Sequence, residues 1–331
     1  MRTLSPAPAP LLLVAALLAG CGKSSPGAAP AGSASAAPGD SGAAAASDSA
    51  APANSYGAPI GVPFPTEQIV AVINPKHEAP YAGPKGTLRG VIRIDGDPSP
   101  DTGLKFQPRC ADSAATYGKL FRVGLGKALA DTMVAVTGYG DHGFVPARDE
   151  AVKIPFHRCV PPKRTYAVTT GQRIEVSNLD RGTGDSYLPY LDGSPNRGVM
   201  VAIPQGAPIK LYPGVGPARY MLRDQLPSGL VADVFVVNYA THDVTGLDGQ
   251  YEIKDIPVGH VRVNVLLPVI DKTEARDLEI KEGDNTLDVT LHFDASKDMP
   301  KARPAGSGAA AAGVAPAGAP SAVKPAIKKL P

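Results

Sequence analysis

The feature of this sequence that most constrains its fold is a period-two alternation of apolar and polar residues. Residues 87–94 and 173–176 place their apolar side chains on one face, as half-buried strands do. Turn signals built on Asp-Gly separate such segments, for example at residues 95–98 and 247–249. Residues 231–239 are almost continuously apolar, which is typical of a central strand. We therefore predict an all-β fold of the Greek-key sandwich type.

The region between residues 61 and 294 is long enough for one large domain or two small ones. Within it, only residues 111–117 and 272–276 favour short helices. The whole chain has 33 basic and 31 acidic residues and a net charge of +2, which argues against a nucleic-acid partner.

The first twenty residues have the three parts of a secretion signal. Arg2 is followed by an apolar stretch at residues 11–18 and by the small residues Ala19 and Gly20. That stretch is far shorter than the ~20 apolar residues that a membrane-spanning helix needs. We therefore predict a signal peptide at residues 1–20 and an exported protein.

The four residues Leu18-Ala19-Gly20-Cys21 resemble the lipobox of bacterial lipoproteins. The resemblance implies that Cys21 becomes the lipidated first residue of the mature chain and anchors it in a membrane. Gly22 follows in place of an aspartate, and by resemblance to the sorting rules of diderm bacteria this implies the outer membrane. The alternative is an ordinary signal peptide cut nearby, with Cys21 at this place by chance.

Both ends of the mature chain are rich in Ala, Gly, Ser and Pro. Residues 21–60 show no apolar periodicity, so we predict a disordered tether with a span of about 35 Å. Residues 295–331 are predicted to be a second disordered tail, which carries Lys324, Lys328 and Lys329. So few charges are typical of a solvated end.

Two separated regions look like halves of one module. The first half, within residues 61–140, contains Gly86-Thr87-Leu88-Arg89-Gly90-Val91 and an apolar segment at 128–136. The second half, residues 243–294, contains Thr245-Gly246-Leu247-Asp248-Gly249 and Pro257-Val258-Gly259. In this order the motifs resemble the carboxypeptidase regulatory-like family, and the resemblance implies a prealbumin-like β-sandwich.

The stretch between the halves, residues 141–242, is predicted to be a β insertion. Residues 166–180 look like a cupredoxin strand pair, and the combination resembles exported proteins of the methylamine-utilisation type. The resemblance implies a copper site, which needs two imidazoles and a thiolate or thioether. No histidine follows Asn178-Leu179-Asp180, and the later segment offers only Met221, so the copper ligands are not matched. We interpret Met221 as a packing residue rather than a thioether ligand.

Other metal sites are weaker alternatives. His142 and His242 flank the insertion and would bind copper or zinc if they met in space, although polar positions in loops are the preferred interpretation. Cys110 and Cys159 are the remaining thiols, and in an oxidising compartment we predict a disulfide worth about 4 kcal/mol. A zinc site that joins both cysteines to His157 is the alternative.

No hydrolase elbow, zinc-protease motif or phosphate-binding loop occurs in the sequence, so no enzymatic activity is expected. The segment 181–197 is the predicted contact loop, in which Tyr187 and Tyr190 would stack on a sugar or peptide beside Asp185 and Asp192. An ordinary surface loop is the alternative.

Together these patterns predict a lipid-anchored protein of the cell envelope. It would act without catalysis, as a binding or structural module for a protein or a glycan, and would need no cofactor. The alternative function is a periplasmic copper or zinc protein, or an electron-transfer protein of the cupredoxin type.

Overall fold

The computed structural model describes residues 63–300, apart from 111, 141–142, 183–185, 195–200 and 226–230. These residues form two β-sandwiches, and the second is built from the stretch of chain between two strands of the first. We call them the first sandwich and the inserted sandwich. Among the described helices, none has the length and apolar character needed to cross a membrane.

The first sandwich contains strands from both ends of the described chain. They are β1 (Lys85–Gly96), β2 (Met133–Thr137), β10 (His242–Val244), β11 (Gln250–Pro257), β12 (Gly259–Leu267), β13 (Lys272–Ile280), β14 (Gly283–Thr286) and β15 (Val289–Phe293). One sheet has the order β11-β1-β14, with β15 also paired to β1, and the other has the order β10-β2-β12-β13.

The alternation in the sequence builds the core of the first sandwich. Leu88 and Ile92 of β1 are fully buried, and Phe121 packs edge-on against Phe293 with ring centroids 4.9 Å apart. Gly90 is required where β1 bends between its two parallel partners, because a Cβ there would lie 1.9 Å from the carbonyl oxygen of Leu287. The glycine of the first predicted motif is therefore a close-approach position.

The inserted sandwich contains the seven strands between β2 and β10. They are β3 (Val152–Phe156), β4 (Thr165–Thr169), β5 (Ile174–Asn178), β6 (Pro189–Asp192), β7 (Ile209–Leu211), β8 (Ala218–Asp224) and β9 (Val231–Val237). Its sheets have the orders β3-β5-β7 and β4-β9-β8-β6, with β3–β5 and β4–β9 parallel. Ile154, Phe156, Ile174 and Val176 fill the core between them.

The two sandwiches share a third apolar layer. Met133 and Ala135 of β2 point away from the core of the first sandwich and pack with Phe235 and Val237 of β9. Both strands are therefore buried on two faces, which explains why residues 231–239 read as continuously apolar. Because this layer is contributed by both sandwiches, we expect them to unfold together.

The structure confirms the prediction of an all-β fold with an inserted β-sandwich. The predicted helix at residues 272–276 is wrong: these residues begin β13, which pairs with β12 over its whole length. The charged sequence suits a solvent-facing edge strand, and nine paired residues outweigh its local helix preference. The other predicted helix is present as α2 (Ser113–Tyr117), although Ala111 lies outside the described residues.

Two helices lie where none was predicted. Helix α1 (Thr66–Ile73) contacts the inserted sandwich, where Ile69 fills the space beside Gly171. Helix α3 (Ala295–Asp298) lies in the segment predicted to be a disordered tail, which corrects the boundary at residue 295 for the described residues up to 300. Asp294 caps this helix by accepting the backbone N–H of Ser296 at 3.0 Å.

Candidate functional site

A groove of about 780 Å³ lies between the two sandwiches. Helix α2 forms one wall, and the segment from β3 to residue 162 forms the other. Apolar side chains and four prolines line most of the groove: Pro98, Ala115, Phe121, Val123, Pro155, Val160, Pro161, Pro162, Leu179 and Leu247. The size and apolar lining are typical of a binding site.

A buried charge cluster forms the floor of the groove. The Arg122 guanidinium donates to both carboxylate oxygens of Asp131, at 2.6 and 2.7 Å, and to the carbonyl oxygen of Pro162 at 3.0 Å. Asp131 also accepts the backbone N–H of Arg164 at 2.6 Å. These contacts join the first sandwich to the start of β4, so the floor is fixed relative to both sandwiches.

A disulfide pins the two walls together. Cys110, which precedes α2, is bonded to Cys159 in the turn after β3, as predicted. The alternative zinc site with His157 is therefore wrong, because both thiols are consumed in the disulfide. The bond is buried, with 3% of Cys110 and 5% of Cys159 exposed.

Tyr187 holds the turn that carries Cys159. Its hydroxyl donates to a carboxylate oxygen of Asp180 and accepts the backbone N–H of Cys159 at 2.9 Å. The other carboxylate oxygen of Asp180 accepts the backbone N–H of Arg158 at 2.8 Å. Arg158 and Cys159 both have positive φ, and these contacts hold that unusual backbone in place.

The predicted contact loop is corrected by this arrangement. Tyr187 and Tyr190 are only 2% and 7% exposed, so neither presents a face to an outside ligand. Tyr187 packs in the core of the inserted sandwich, and Tyr190 belongs to β6, where three successive residues are buried, so period-two alternation does not reveal the burial. Asp192 pairs with Arg223 at 2.9 Å (Oδ2–Nε), and Asp185 lies outside the described residues.

Exposed aliphatic side chains surround the mouth of the groove. Leu247, Leu179 and Val123 line the groove and remain 54%, 48% and 42% exposed. Leu125, which is 97% exposed, follows Gly124, where a Cβ would lie 1.9 Å from the carbonyl oxygen of Leu247. We call these four residues the leucine rim. An exposed apolar cluster beside an apolar groove is typical of an interaction surface.

Charged groups beside the groove are paired with one another. Asp112 lies 3.5 Å from the His157 imidazole (Oδ2–Nδ1) and 3.6 Å from the Arg158 guanidinium (Oδ1–Nη1). Lys119 pairs with Asp101 at 2.9 Å. Because these charges already have partners, the apolar surface is what the groove offers to a ligand.

A second cavity of about 290 Å³ lies on the opposite side of β4 and contains His242. The His242 Nε2 atom lies 3.1 Å from the Thr169 hydroxyl oxygen, and the ring packs edge-on against Tyr239. Burial, and secondarily the charge of Arg148, lowers the pKa of the imidazole to about 4. His242 is therefore neutral at pH 7.

The remaining predicted metal residues do not come together in the described part of the chain. Within it, no three side chains of His, Cys, Asp or Glu form a group that could hold a metal ion. Met221 is a half-buried residue of β8 whose sulfur lies 3.3 Å from the Arg223 guanidinium, so it is not the core residue we predicted. His142 lies outside the described residues, and its pairing with His242 stays a prediction.

The copper site implied by the cupredoxin resemblance also fails a test of fit. In that family a histidine closely follows the Asn-x-Asp strand end, and residues 181–186, which follow Asp180 here, include no histidine. The carboxylate of Asp180 itself is occupied by Tyr187 and by the N–H of Arg158. A carboxylate committed to a tyrosine and a backbone amide is a poor copper ligand. The residues present do not fit the group.

Sequence reasoning missed the leucine rim. Leu247 stands between glycines in Gly246-Leu247-Asp248-Gly249, which we interpreted only as a turn, and Leu125 stands between glycines in Gly124-Leu125-Gly126. A large aliphatic residue at the tip of a polar turn has no packing role there. A large aliphatic residue at the tip of a polar turn is therefore the sequence signal from which the site could have been predicted.

Comparisons with known proteins leave the family open. No protein-family model and no curated protein matches the chain. An oxidised variant of amicyanin is 13% identical over 27% of this chain and 83% of that chain, with a TM-score of 0.22. A copper-containing nitrite reductase from Thermus scotoductus SA-01 is 13% identical over 40% of this chain and 27% of that chain, with a TM-score of 0.24. At such TM-scores these likenesses carry no argument.

Proposed function

We propose that this protein is a lipid-anchored component of the bacterial cell envelope that binds an apolar segment of another envelope protein in its groove. The observation that carries the proposal is the leucine rim around an apolar groove of about 780 Å³. The disulfide and the buried Arg122–Asp131 pair fix the groove walls, which lowers the ordering cost of binding.

The chemistry of this surface favours a protein over a glycan. Proteins that hold sugars commonly stack them on exposed aromatic rings, and the chain has no tryptophan. Among the described residues, the large apolar side chains that are well exposed are all aliphatic or methionine. Aliphatic surface gains free energy by burying other apolar side chains, at about 25 cal/mol per Å².

The first test concerns the groove. Full-length protein with Leu247→Ser and Val123→Ser is compared with Met299→Ser, whose side chain is 47% exposed and does not line the groove. A partner retained by the wild type and by Met299→Ser, and lost by the rim variant, supports the proposal. Equal retention by both variants would place binding elsewhere.

The second test concerns the anchor. Expressed in a diderm bacterium, the Cys21→Ser variant is expected to leave the membrane fraction, because no acyl chains can be attached. Metabolic labelling with a radioactive fatty acid is expected to mark the wild type alone. Membrane association of the serine variant equal to that of the wild type would contradict the lipid anchor.

A further inference from the structure

The second cavity carries an excess of positive charge. Arg148, Lys153 and Lys163 line it, together with the carboxylates Glu150 and Asp243. Asp243 is already committed, because its carboxylate accepts the backbone N–H groups of Val244 at 2.7 Å and Glu252 at 2.9 Å. Hydrogen bonds from neutral amides leave the charge of Asp243 in place, so the three cations and two carboxylates give the lining a formal net charge of +1.

Two of the lining groups are held in place. The Lys163 ammonium donates to the carbonyl oxygen of Val244, which fixes it on the wall and leaves two donor hydrogens. The Thr169 hydroxyl donates to the carbonyl oxygen of Tyr239 at 3.3 Å, so the neighbouring His242 Nε2 must be the donor to that hydroxyl. This fixes the tautomer of the neutral ring and leaves Nδ1 as an acceptor.

We propose that this cavity is a binding site for a small oxyanion, a carboxylate or a phosphate, with Arg148 and Lys163 as its charged contacts. The volume of about 290 Å³ suits a ligand of few atoms. A guanidinium offers parallel N–H donors that match both kinds of oxyanion. The proposal does not rest on the groove, with which this cavity shares only Pro162 among the lining residues.

His242 gives the site a pH signature. Its ring contacts Thr169 of β4 and Tyr239. The titratable groups that line the cavity with it are Arg148, Glu150, Lys153, Lys163, Tyr166 and Asp243. A bound anion favours the protonated imidazole, so binding takes up a proton. By linkage, the affinity for a given ionisation state of the anion rises as the pH falls from neutrality toward the ring's pKa of about 4.

The test is a titration of the full chain in detergent, followed by the NMR signals of the His242 ring. Inorganic phosphate is used in one arm and succinate in the other, and His242→Gln assigns the signals. We expect saturable shifts with at least one anion, and tighter binding at lower pH when the affinity is calculated for one ionisation state of that anion. The arm with the higher affinity identifies phosphate or carboxylate as the preferred ligand.

Arg148→Gln supplies the decisive variant, since Arg148 is exposed and its removal leaves the fold intact. We expect about tenfold weaker binding, because a charged hydrogen bond is lost. Arg276→Gln, on β13 and 54% exposed, is the matched control and is expected to bind as the wild type does. A response that never saturates with either anion, or equal affinity in Arg148→Gln and the wild type, would overturn the proposal.

Discussion

The first sandwich and the inserted sandwich differ in how their strands are stabilised. The four longest strands of the first sandwich have 8 to 12 residues, whereas the strands of the inserted sandwich have 3 to 7. The first sandwich relies on long ladders and an apolar core. The inserted sandwich adds a disulfide, a buried Tyr187–Asp180 contact and the Arg122–Asp131 pair at its border.

This difference bears on function. Short strands leave more of the chain in connections, and the connections at one end of the inserted sandwich form a wall of the groove. The disulfide and the buried polar contacts hold these connections in place, as hydrogen-bond ladders hold the long strands in place.

The largest effect is expected when a buried aromatic ring is removed from the core of either sandwich. Phe156→Ala in the inserted sandwich and Phe293→Ala in the first sandwich remove fully buried rings, and each should lower the free energy of unfolding by about 3–5 kcal/mol. Because the sandwiches share an apolar layer, urea unfolding followed by circular dichroism should show one shifted transition in both variants. Two separate transitions, with only one of them shifted, would show that the sandwiches unfold independently.

The disulfide should matter nearly as much. The double variant Cys110→Ser/Cys159→Ser should lose about 2–4 kcal/mol of unfolding free energy, since the unfolded chain is no longer restrained. Cys21→Ser, in a parallel preparation, is the control that removes a thiol without removing the bond. If reductant leaves the urea midpoint of the wild type unchanged, the bond does not stabilise the inserted sandwich.

Protonation of His242 should lower the free energy of unfolding as the pH falls. The folded pKa of about 4 lies below the ordinary value of about 6.5, so the unfolded chain binds the proton more readily. The contribution is complete above the unfolded pKa and is lost as the pH falls from about 6.5 toward 4, by at most about 3 kcal/mol. Unfolding free energies measured across this range should vary less in His242→Gln. An equally steep fall in that variant would assign the effect to other groups.

A smaller effect is expected at a contact between the sandwiches. Arg219 of β8 donates to Asp233 at 2.9 Å, to Asp271 at 3.0 Å and to the carbonyl oxygen of Pro268 at 3.2 Å. Arg219→Ala should cost about 1–2 kcal/mol of unfolding free energy, discounted because the side chain is one-third exposed. Arg276→Ala, which loses a surface ion pair only, should stay within about 0.5 kcal/mol of the wild type.

The sequence predicted well those features that depend on local alternation. Strands β1 and β5 follow from it, and β9 follows from its continuous apolar run, which reflects burial on two faces. The pairing of Cys110 with Cys159 was predictable because the only other cysteine, Cys21, is the predicted lipidation site. Strand β13 was not predictable, because its pairing with β12 is a tertiary contact that overrides the local helix preference of residues 272–276.

The groove could not be predicted from the sequence, for a different reason. Its lining comes from residues 98–123, 155–162, 179 and 247, which only the packing of both sandwiches brings together. Whether a tyrosine or a leucine faces solvent depends on the same packing. Tyr187 was therefore assigned to the surface and Leu247 to a plain turn, and the structure reverses both.

The groove as a docking surface is the central claim, and photo-crosslinking in living cells tests it most directly. A photoreactive phenylalanine analogue replaces Leu247 in the full chain, and in a parallel strain replaces Met299. We predict a discrete crosslinked product from position 247 that disappears when Val123→Ser and Leu179→Ser are added, and none from position 299. Crosslinks of equal yield from both positions, or none from position 247, would contradict the account.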